Sequence, residues 1–298
     1  MYDGIINVYK EKGFTSFDVV AKMRGILGQK KVGHTGTLDP EAEGVLPVCV
    51  GKGTRLCDML TDRDKTYEAT LLLGMETDTQ DTTGTVLSET DASGLTEEAV
   101  REAVLCFVGD YDQIPPMYSA LKVNGRKLCD LARQGVEVER KPRPVKIYDI
   151  TIRSIRLPEV VMTVSCSKGT YIRTLLEDIA AAMGQKGTMS ALRRTTAGVY
   201  TEADAHTLEE IQAAKEAGPE ALQALMLPVE SVFESLPLLV VEPRVEQHLY
   251  NGCPTSRYPA ADGRYRVRNA EGQFLGLANI TGGVLKVEKL FVERNEKD

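Results

Sequence analysis

The chain has 298 residues, with 36 Lys and Arg against 43 Asp and Glu and a formal net charge of −7. A composition of 42% hydrophobic and 27% charged residues is that of an ordinary globular protein, which excludes the disordered and low-complexity classes. No apolar run approaches the ~18–20 residues that cross a bilayer, and the opening MYDGIINVYKEKG lacks the basic-then-apolar pattern of a signal peptide, so a cytoplasmic protein is expected.

The first predicted element is a short apolar run from Gly4 to Tyr9, closed by Lys10-Glu11-Lys12-Gly13. Thr15 and Ser16 then offer capping oxygens to a helix marked by Phe17, Val20, Ile26 and Leu27 and stopped by Gly28. Residues 31–55 are studded with glycine and show little regular period. From Lys65 to Leu73 the pattern is that of a strand, with Tyr67, Ala69 and Leu71 on one face. Leu95 to Val108 reads as a helix: Thr96 caps it, Ala99, Val100, Ala103, Val104 and Phe107 form its buried stripe, and Gly109 ends it.

The paired prolines of Gln113-Ile-Pro-Pro-Met-Tyr-Ser-Ala-Leu forbid a helix there. A short helix over Lys127 to Gln134 closes on Gly135, and Lys141-Pro-Arg-Pro precedes two strands, Val145–Ile155 and Val160–Ser167. Residues 113–144 therefore form a long excursion between sheet elements, a feature that in compact domains is usually functional or disordered. Thr170 starts a helix that runs to Met183 and stops at Gly184, and Thr207-Leu-Glu-Glu210 is a capping box opening another. After Pro237 the texture changes to short strands, Leu238–Val241, Arg264–Arg268, Phe274–Ile280 and Val284–Val292, the last two joined by the hairpin signal Thr281-Gly-Gly. A domain boundary is expected near 235, and there is no internal repeat.

Charge is distributed unevenly. Residues 75–112 hold ten acids and one base, and residues 202–234 hold eight acids and one base, whereas residues 122–173 hold twelve bases and five acids. A polyanion responds to local potential as well as to the total, so the basic tract is a candidate nucleic-acid footprint. The six cysteines (Cys49, Cys57, Cys106, Cys129, Cys166 and Cys253) form no C-x₂₋₄-C pair and read as reduced thiols in cores. With only three scattered histidines, no metal site is expected. Val50-Gly51-Lys52-Gly53-Thr54 fails both glycine-rich nucleotide patterns, because Leu46 and Leu56 stand where glycines are needed. Ser165-x-x-Lys168 lacks the companion motifs of an acyl-enzyme site.

What remains is Gly33-His-Thr-Gly-Thr-Leu-Asp-Pro, followed by Gly44-Val-Leu-Pro, in which Gly33, Gly36 and Gly44 permit close approach and Pro40 holds Asp39 in an extended turn. In Cys166-Ser-Lys-Gly-Thr-Tyr-Ile-Arg173, the arginine falls in the first turn of a helix, where the dipole disfavours a cation and a carboxylate partner would relieve the cost. These two segments, with Asp64-Lys-Thr-Tyr67 and Met117-Tyr-Ser-Ala-Leu-Lys, together resemble the TruB family of tRNA pseudouridine synthases. The resemblance runs in order from about Gly4 to Arg194, and the tail resembles the family's C-terminal PUA-type module. One departure is visible: the family's Lys-Pro-x-Gly reads Lys10-Glu11-Lys12-Gly13, without the stiffening proline.

The resemblance implies an α+β fold: a mixed, largely antiparallel sheet flanked by helices over residues 1–235, with a small β-barrel-like module over 236–298. It implies an isomerase that turns uridine 55 in the T loop of tRNA into pseudouridine after flipping the base. Asp39 matches the nucleophile, and attack at C1′, addition at C6 and a glycal route all remain open. Arg173 matches its guanidinium partner, and Tyr67 the ring that stacks on uracil and could also take the C5 proton. Tyr171, Leu192 and Lys10 match substrate-binding positions, and His34 matches a residue inserted into the T loop. The excursion, with Lys122, Arg126, Lys127, Arg133, Arg140, Lys141 and Arg143, matches a mobile RNA-clasping insertion. No metal or organic cofactor, no membrane and no obligate protein partner is implied, and a monomer is expected.

Overall fold

The computed structural model describes residues 2–292; residues 293–298 of the expected C-terminal module lie outside it. Among the described residues, a nine-stranded sheet forms the body. Its strands are β1 (Gly4–Lys10), β2 (Val32–His34), β3 (Glu43–Val50), β4 (Lys65–Leu73), β5 (Gly109–Gln113), β6 (Arg143–Arg156), β7 (Glu159–Cys166), β8 (Gly187–Ala197) and β9 (Tyr200–Thr201). The order is β1-β3-β8-β4-β7-β6-β5, with β2 on β3 and β9 on β8. Pairing is antiparallel except where β8 meets β3 in parallel at Arg193↔Glu43 and Arg194↔Gly44. The expected mixed, largely antiparallel α+β architecture is the one observed.

Strand alternation sends the two sides of the sheet to different cores. Ile6, Val8, Leu46, Val48 and Val50 face the larger core, filled by helices α1 (Ser16–Leu27), α2 (Glu97–Leu105), α3 (Ile172–Ala182) and α4 (Leu208–Ala217). Ile5, Val45 and Cys49 face the opposite way, toward Leu56, Leu60, Phe233, Leu277 and Phe291. A four-stranded sheet follows, β10 (Leu238–Val241), β11 (Gly263–Asn269), β12 (Phe274–Thr281) and β13 (Val284–Leu290), in that order, with Gly282 and Gly283 in the left-handed turn that closes its last hairpin. It meets the body through the rings of Phe233, Phe274 and Phe291 and through Glu230, which receives Arg266 and Arg268.

Several expectations are corrected. Residues 31–55 are not irregular: they contain β3, which is buried on both faces and so lacks the polar–apolar alternation that marks a half-exposed strand. The strand β8 and helix α5 (Pro243–Tyr250) also escape the pattern, the first because it buries polar Thr188 and Arg194, the second because only Leu249 is buried. Helix α2 stops at Leu105 rather than Val108, and Gly109 opens the polar edge strand β5. Thr170 does not start α3; its hydroxyl donates to the Ser167 carbonyl, and the helix begins at Ile172. Phe17, taken as one of the apolar marks of α1, points into solvent and is 72% exposed. Only Cys49 and Cys166 are core thiols, since Cys106 falls at the ragged end of α2 and Cys253 in a turn, both exposed. No helix among the described residues is long and apolar enough to cross a membrane.

Candidate active site

The loop between β2 and β3 carries Asp39, and its shape is set from α1. Thr15 and Asp18 form a reciprocal capping box that fixes the start of that helix. The next residue, Ser16, grips Leu38 twice: its hydroxyl accepts from the Leu38 N–H at 2.9 Å and donates to the Leu38 carbonyl at 3.2 Å. On the other side of Asp39, the Pro40 carbonyl accepts from the Gly13 N–H at 2.9 Å and from Lys10 Nζ at 3.0 Å. Lys10 also donates to the carbonyls of Glu11 and Phe14, at 3.0 and 2.6 Å. Burial lowers its ammonium pKa to about 8, against the pull of nearby Asp39. Lys10 is thus fully buried beside the loop and ties the carbonyls of Glu11, Phe14 and Pro40 together.

Asp39 meets Arg173 across 134 residues of sequence. Arg173 Nε lies 2.9 Å from Asp39 Oδ2, and Nη2 donates to Oδ1 at 3.4 Å, a two-point contact that fixes the carboxylate plane. The arginine is itself held by the carbonyls of Thr79 at 2.6 Å and Tyr118 at 2.9 Å. Its side chain is 5% exposed while that of Asp39 is 35% exposed, so the cation is sealed and the anion open. Arg173 sits in the first turn of α3, where the carboxylate offsets the unfavourable helix dipole.

Around this pair the sheet presents a buried face. Tyr67 on β4 lies opposite Arg194 on β8, and Ala69 lies opposite Leu192. Burial raises the Tyr67 phenol above its ordinary value, and Asp39 adds in the same direction, while Arg194 opposes. Tyr171 caps α3 and exchanges two hydrogen bonds with Gln113, its N–H donating at 2.8 Å and its carbonyl accepting at 3.0 Å. Burial raises its phenol as well. His34 accepts from the Gly36 N–H through Nδ1 at 3.3 Å, and burial, with Arg194 nearby, lowers its pKa. Asp39, Arg173, Tyr67, Tyr171, Leu192 and His34 therefore converge, with Lys10 beneath them.

Arg194 was not among the expected site residues, yet it is 1% exposed and ties the site together. Its Nε donates to the Val45 carbonyl at 2.7 Å and Nη2 to the Gly36 carbonyl at 3.2 Å. No carboxylate stands within ion-pair distance of it among the described residues. Gly44 makes this approach possible: with φ at +104°, a Cβ there would lie 2.3 Å from the Arg194 carbonyl oxygen. Lys65 is a further buried cation, capped by the carbonyls of Thr61 and Arg63 and lowered to about 8 by burial. The signal in sequence was Leu192-Arg-Arg194, whose two arginines take opposite faces once the segment is a strand: Arg193 pairs with Glu68 and Glu202 at the surface.

The excursion folds as a small hairpin (Lys122–Val123 with Arg126–Lys127) and a short helix, Leu128–Ala132. Lys122, Arg126, Lys127, Arg133, Lys141 and Arg143 are exposed. Arg140 is half-buried, bonded to the Pro115 carbonyl at 3.2 Å and to Glu137 at 3.0 Å, so it struts the two ends of the excursion rather than standing free. Through the Tyr118 carbonyl the same segment reaches Arg173 directly. Among the described residues no group of three His, Cys, Asp or Glu could hold a metal ion.

The chain was compared with known proteins. Residues 24–172 match the model of the TruB family pseudouridylate synthase N-terminal domain, and residues 173–234 that of the tRNA pseudouridylate synthase B C-terminal domain. The tRNA pseudouridine synthase B of Lachnoclostridium phytofermentans is 54% identical over 258 residues, 84% of this chain and 83% of that protein. The Clostridium perfringens protein of the same name is 43% identical over 298 residues, covering 98% and 99%. Of solved structures, a chain of a Cbf5–Nop10–Gar1 complex superposes with a TM-score of 0.73 at 26% identity, covering 98% of this chain and 85% of its own. A chain of an H/ACA RNP bound to a substrate RNA containing 2′-deoxyuridine does so with 0.72 at 25% identity, covering 98% and 86%.

Proposed function

The chain belongs to the TruB family of pseudouridylate synthases, and on that premise we propose that it isomerises uridine 55 in the T loop of tRNA, with Asp39 as nucleophile on a flipped-out nucleotide. In this reaction the N1–C1′ bond breaks and a C5–C1′ bond forms; a proton leaves C5 and one is taken up at N1, so nothing is oxidised or reduced. The observation that carries the reading is the inverted burial of the central ion pair, an open carboxylate held at 2.9 Å by a sealed guanidinium. Attack at C1′, addition at C6 and a glycal route all need one anion at the junction of sugar and base, oriented before the substrate arrives. Arg173 supplies both conditions: its opposite charge lies against the anion where RNA excludes water, and its two-point grip fixes the approach.

Tyr67 offers its ring to the uracil. The burial that raises its phenol supports a stacking role over that of a ready base. Leu192 and Tyr171 line the pocket, and His34 fills the place the nucleotide leaves. A uridine in a folded loop is already partly unstacked, which lowers the few kcal/mol that flipping costs. The exposed cations of the excursion grip phosphates beside the pocket. Residues 1–235 act as the catalytic domain and the sheet that follows as a PUA-type RNA-binding module. The partner is the T stem-loop of tRNA, in the cytoplasm, with the protein acting as a monomer without metal or cofactor.

The test is Asp39→Asn with an unmodified T-arm minihelix tritiated at C5. Tritium release should fall below detection while minihelix affinity stays within about threefold, because the substitution removes charge and nucleophilicity with little change of shape. Substantial residual release would overturn the assignment.

A further inference from the structure

Phe17 is a large apolar side chain that the fold leaves in water beside the site. Helix α1 buries Ser16, Val19, Val20, Met23 and Leu27, so Phe17, on the other side, contributes nothing to the core and is 72% exposed. Its ring is not free to roam, because it meets the His34 ring edge to face, with centroids 5.9 Å apart and planes at 79°. Its chain neighbour Ser16 is the residue that clasps Leu38 on both backbone groups, one residue before Asp39. Phe17 is thereby placed against the segment that leads into Asp39, touching His34 itself and tied to Leu38 through its neighbour Ser16.

We infer that Phe17 is a substrate-binding residue whose exposed ring stacks on a second nucleobase of the same RNA, next to the nucleotide that enters the pocket. The inference rests on the reading that the substrate is a T-loop uridine. Pulling one base out of a stack strips its neighbours of a partner, and a flat apolar ring restores contact without regard to sequence, since every base has a π face. His34 alone is half-buried. Phe17 adds a second surface, roughly perpendicular to the first, so the pair forms a two-walled wedge against the opened loop.

The experiment measures KM and kcat for tritium release from the minihelix by the full chain and three variants. Phe17→Ala should raise KM about tenfold or more, the usual effect of losing one base–aromatic stack, with kcat within about twofold. Phe17→Trp should restore KM, and Phe17→Leu, equally apolar but not flat, should not. Thermal denaturation of all three should match the wild type, as expected for a side chain outside the core. An unchanged KM in Phe17→Ala, or full rescue by Leu, overturns the inference. Covering of Phe17 by another protein would also leave KM unmoved and so count against it. Failure of the wild type itself to release tritium would instead overturn the functional reading.

Discussion

Among the carboxylates that arginines grip in this chain, Asp39 and Glu230 stand apart, because the burial of the partners is reversed between them. At Asp39 the arginine is sealed at 5% exposure and the carboxylate stands open at 35%. At Glu230 the carboxylate is sealed at 11%, while Arg266 and Arg268 remain 23% and 39% exposed. Glu230 has both oxygens occupied, Oε1 by Arg266 at 2.8 Å and by Arg268 Nε at 3.0 Å, and Oε2 by Arg268 Nη2 at 2.7 Å. Asp39 has one flank engaged and the rest facing solvent. The same chemical pair thus does two jobs. A buried anion with its valences filled locks the short turn before residue 238 to the sheet that follows, whereas an exposed anion backed by a buried cation is available to a substrate.

Substitution separates the two. Arg173→Lys keeps a positive charge but loses the fork, so Asp39 keeps a cationic partner but is poorly aimed; turnover should fall about a hundredfold, the scale of a small misplacement of a reacting group. Affinity for the minihelix should change little. A rate within threefold of the wild type would show that charge alone suffices and that the fork is irrelevant. Glu230→Gln should do the opposite, leaving the rate per folded molecule intact and lowering stability. Breaking a sealed pair costs roughly 3–5 kcal/mol, but with the arginines partly in solvent about 1–2 kcal/mol is expected in urea unfolding. If Glu230→Gln slowed the chemistry as Arg173→Lys does, the junction would have to communicate with the site, and the contrast would fail.

The two regions also differ in how far their sequence announces them. The strands around Tyr67 and Val160, the caps at Thr15, Thr96 and Thr207, and the hairpin at Gly282-Gly283 are local features, and each is where its residues place it. What stays hidden is non-local. The strand β3 shows no alternation because both faces are buried, and β8 hides its identity behind Arg194 and Thr188, polar side chains whose partners are backbone groups or residues more than a hundred positions away. The convergence of Asp39 with Arg173 was legible only through motif resemblance, since nothing in either segment specifies that the other will be near. Lys10 shows the reverse limit: its motif suggests substrate contact, but three carbonyls within 3.0 Å claim its ammonium. Side chains that serve the backbone leave no periodic trace.

A third carboxylate sharpens the contrast, because it has no arginine at all. Asp178 lies on α3, five residues beyond Arg173; it is half-buried, and its partner is the Tyr111 hydroxyl, which donates to it. Burial raises its pKa to about 6. The folded value therefore lies above the unfolded one, near 3.9. Stability from this group is fully present below about pH 4 and lost as pH rises through 6, so at pH 8 the fold carries the whole cost of an ionised, half-buried anion. A shift of that size converts to about 3 kcal/mol for a sealed group; Asp178 is only half-buried and Tyr111 favours the anion, which together leave about 1 kcal/mol. Asp178→Asn keeps an oxygen to accept from Tyr111 and removes the charge. The variant should therefore be more stable than the wild type at pH 8, with the gap narrowing toward zero as pH falls through 6 to 4. Urea midpoints for both proteins at pH 5 and pH 8 read this directly. A gap of equal size at the two pH values would mean that Asp178 does not titrate in this range and that the Tyr111 hydroxyl alone holds it ionised. In that case burial would not set the charge of Asp178, and the contrast with Asp39 would rest on the aim that the Arg173 fork supplies there.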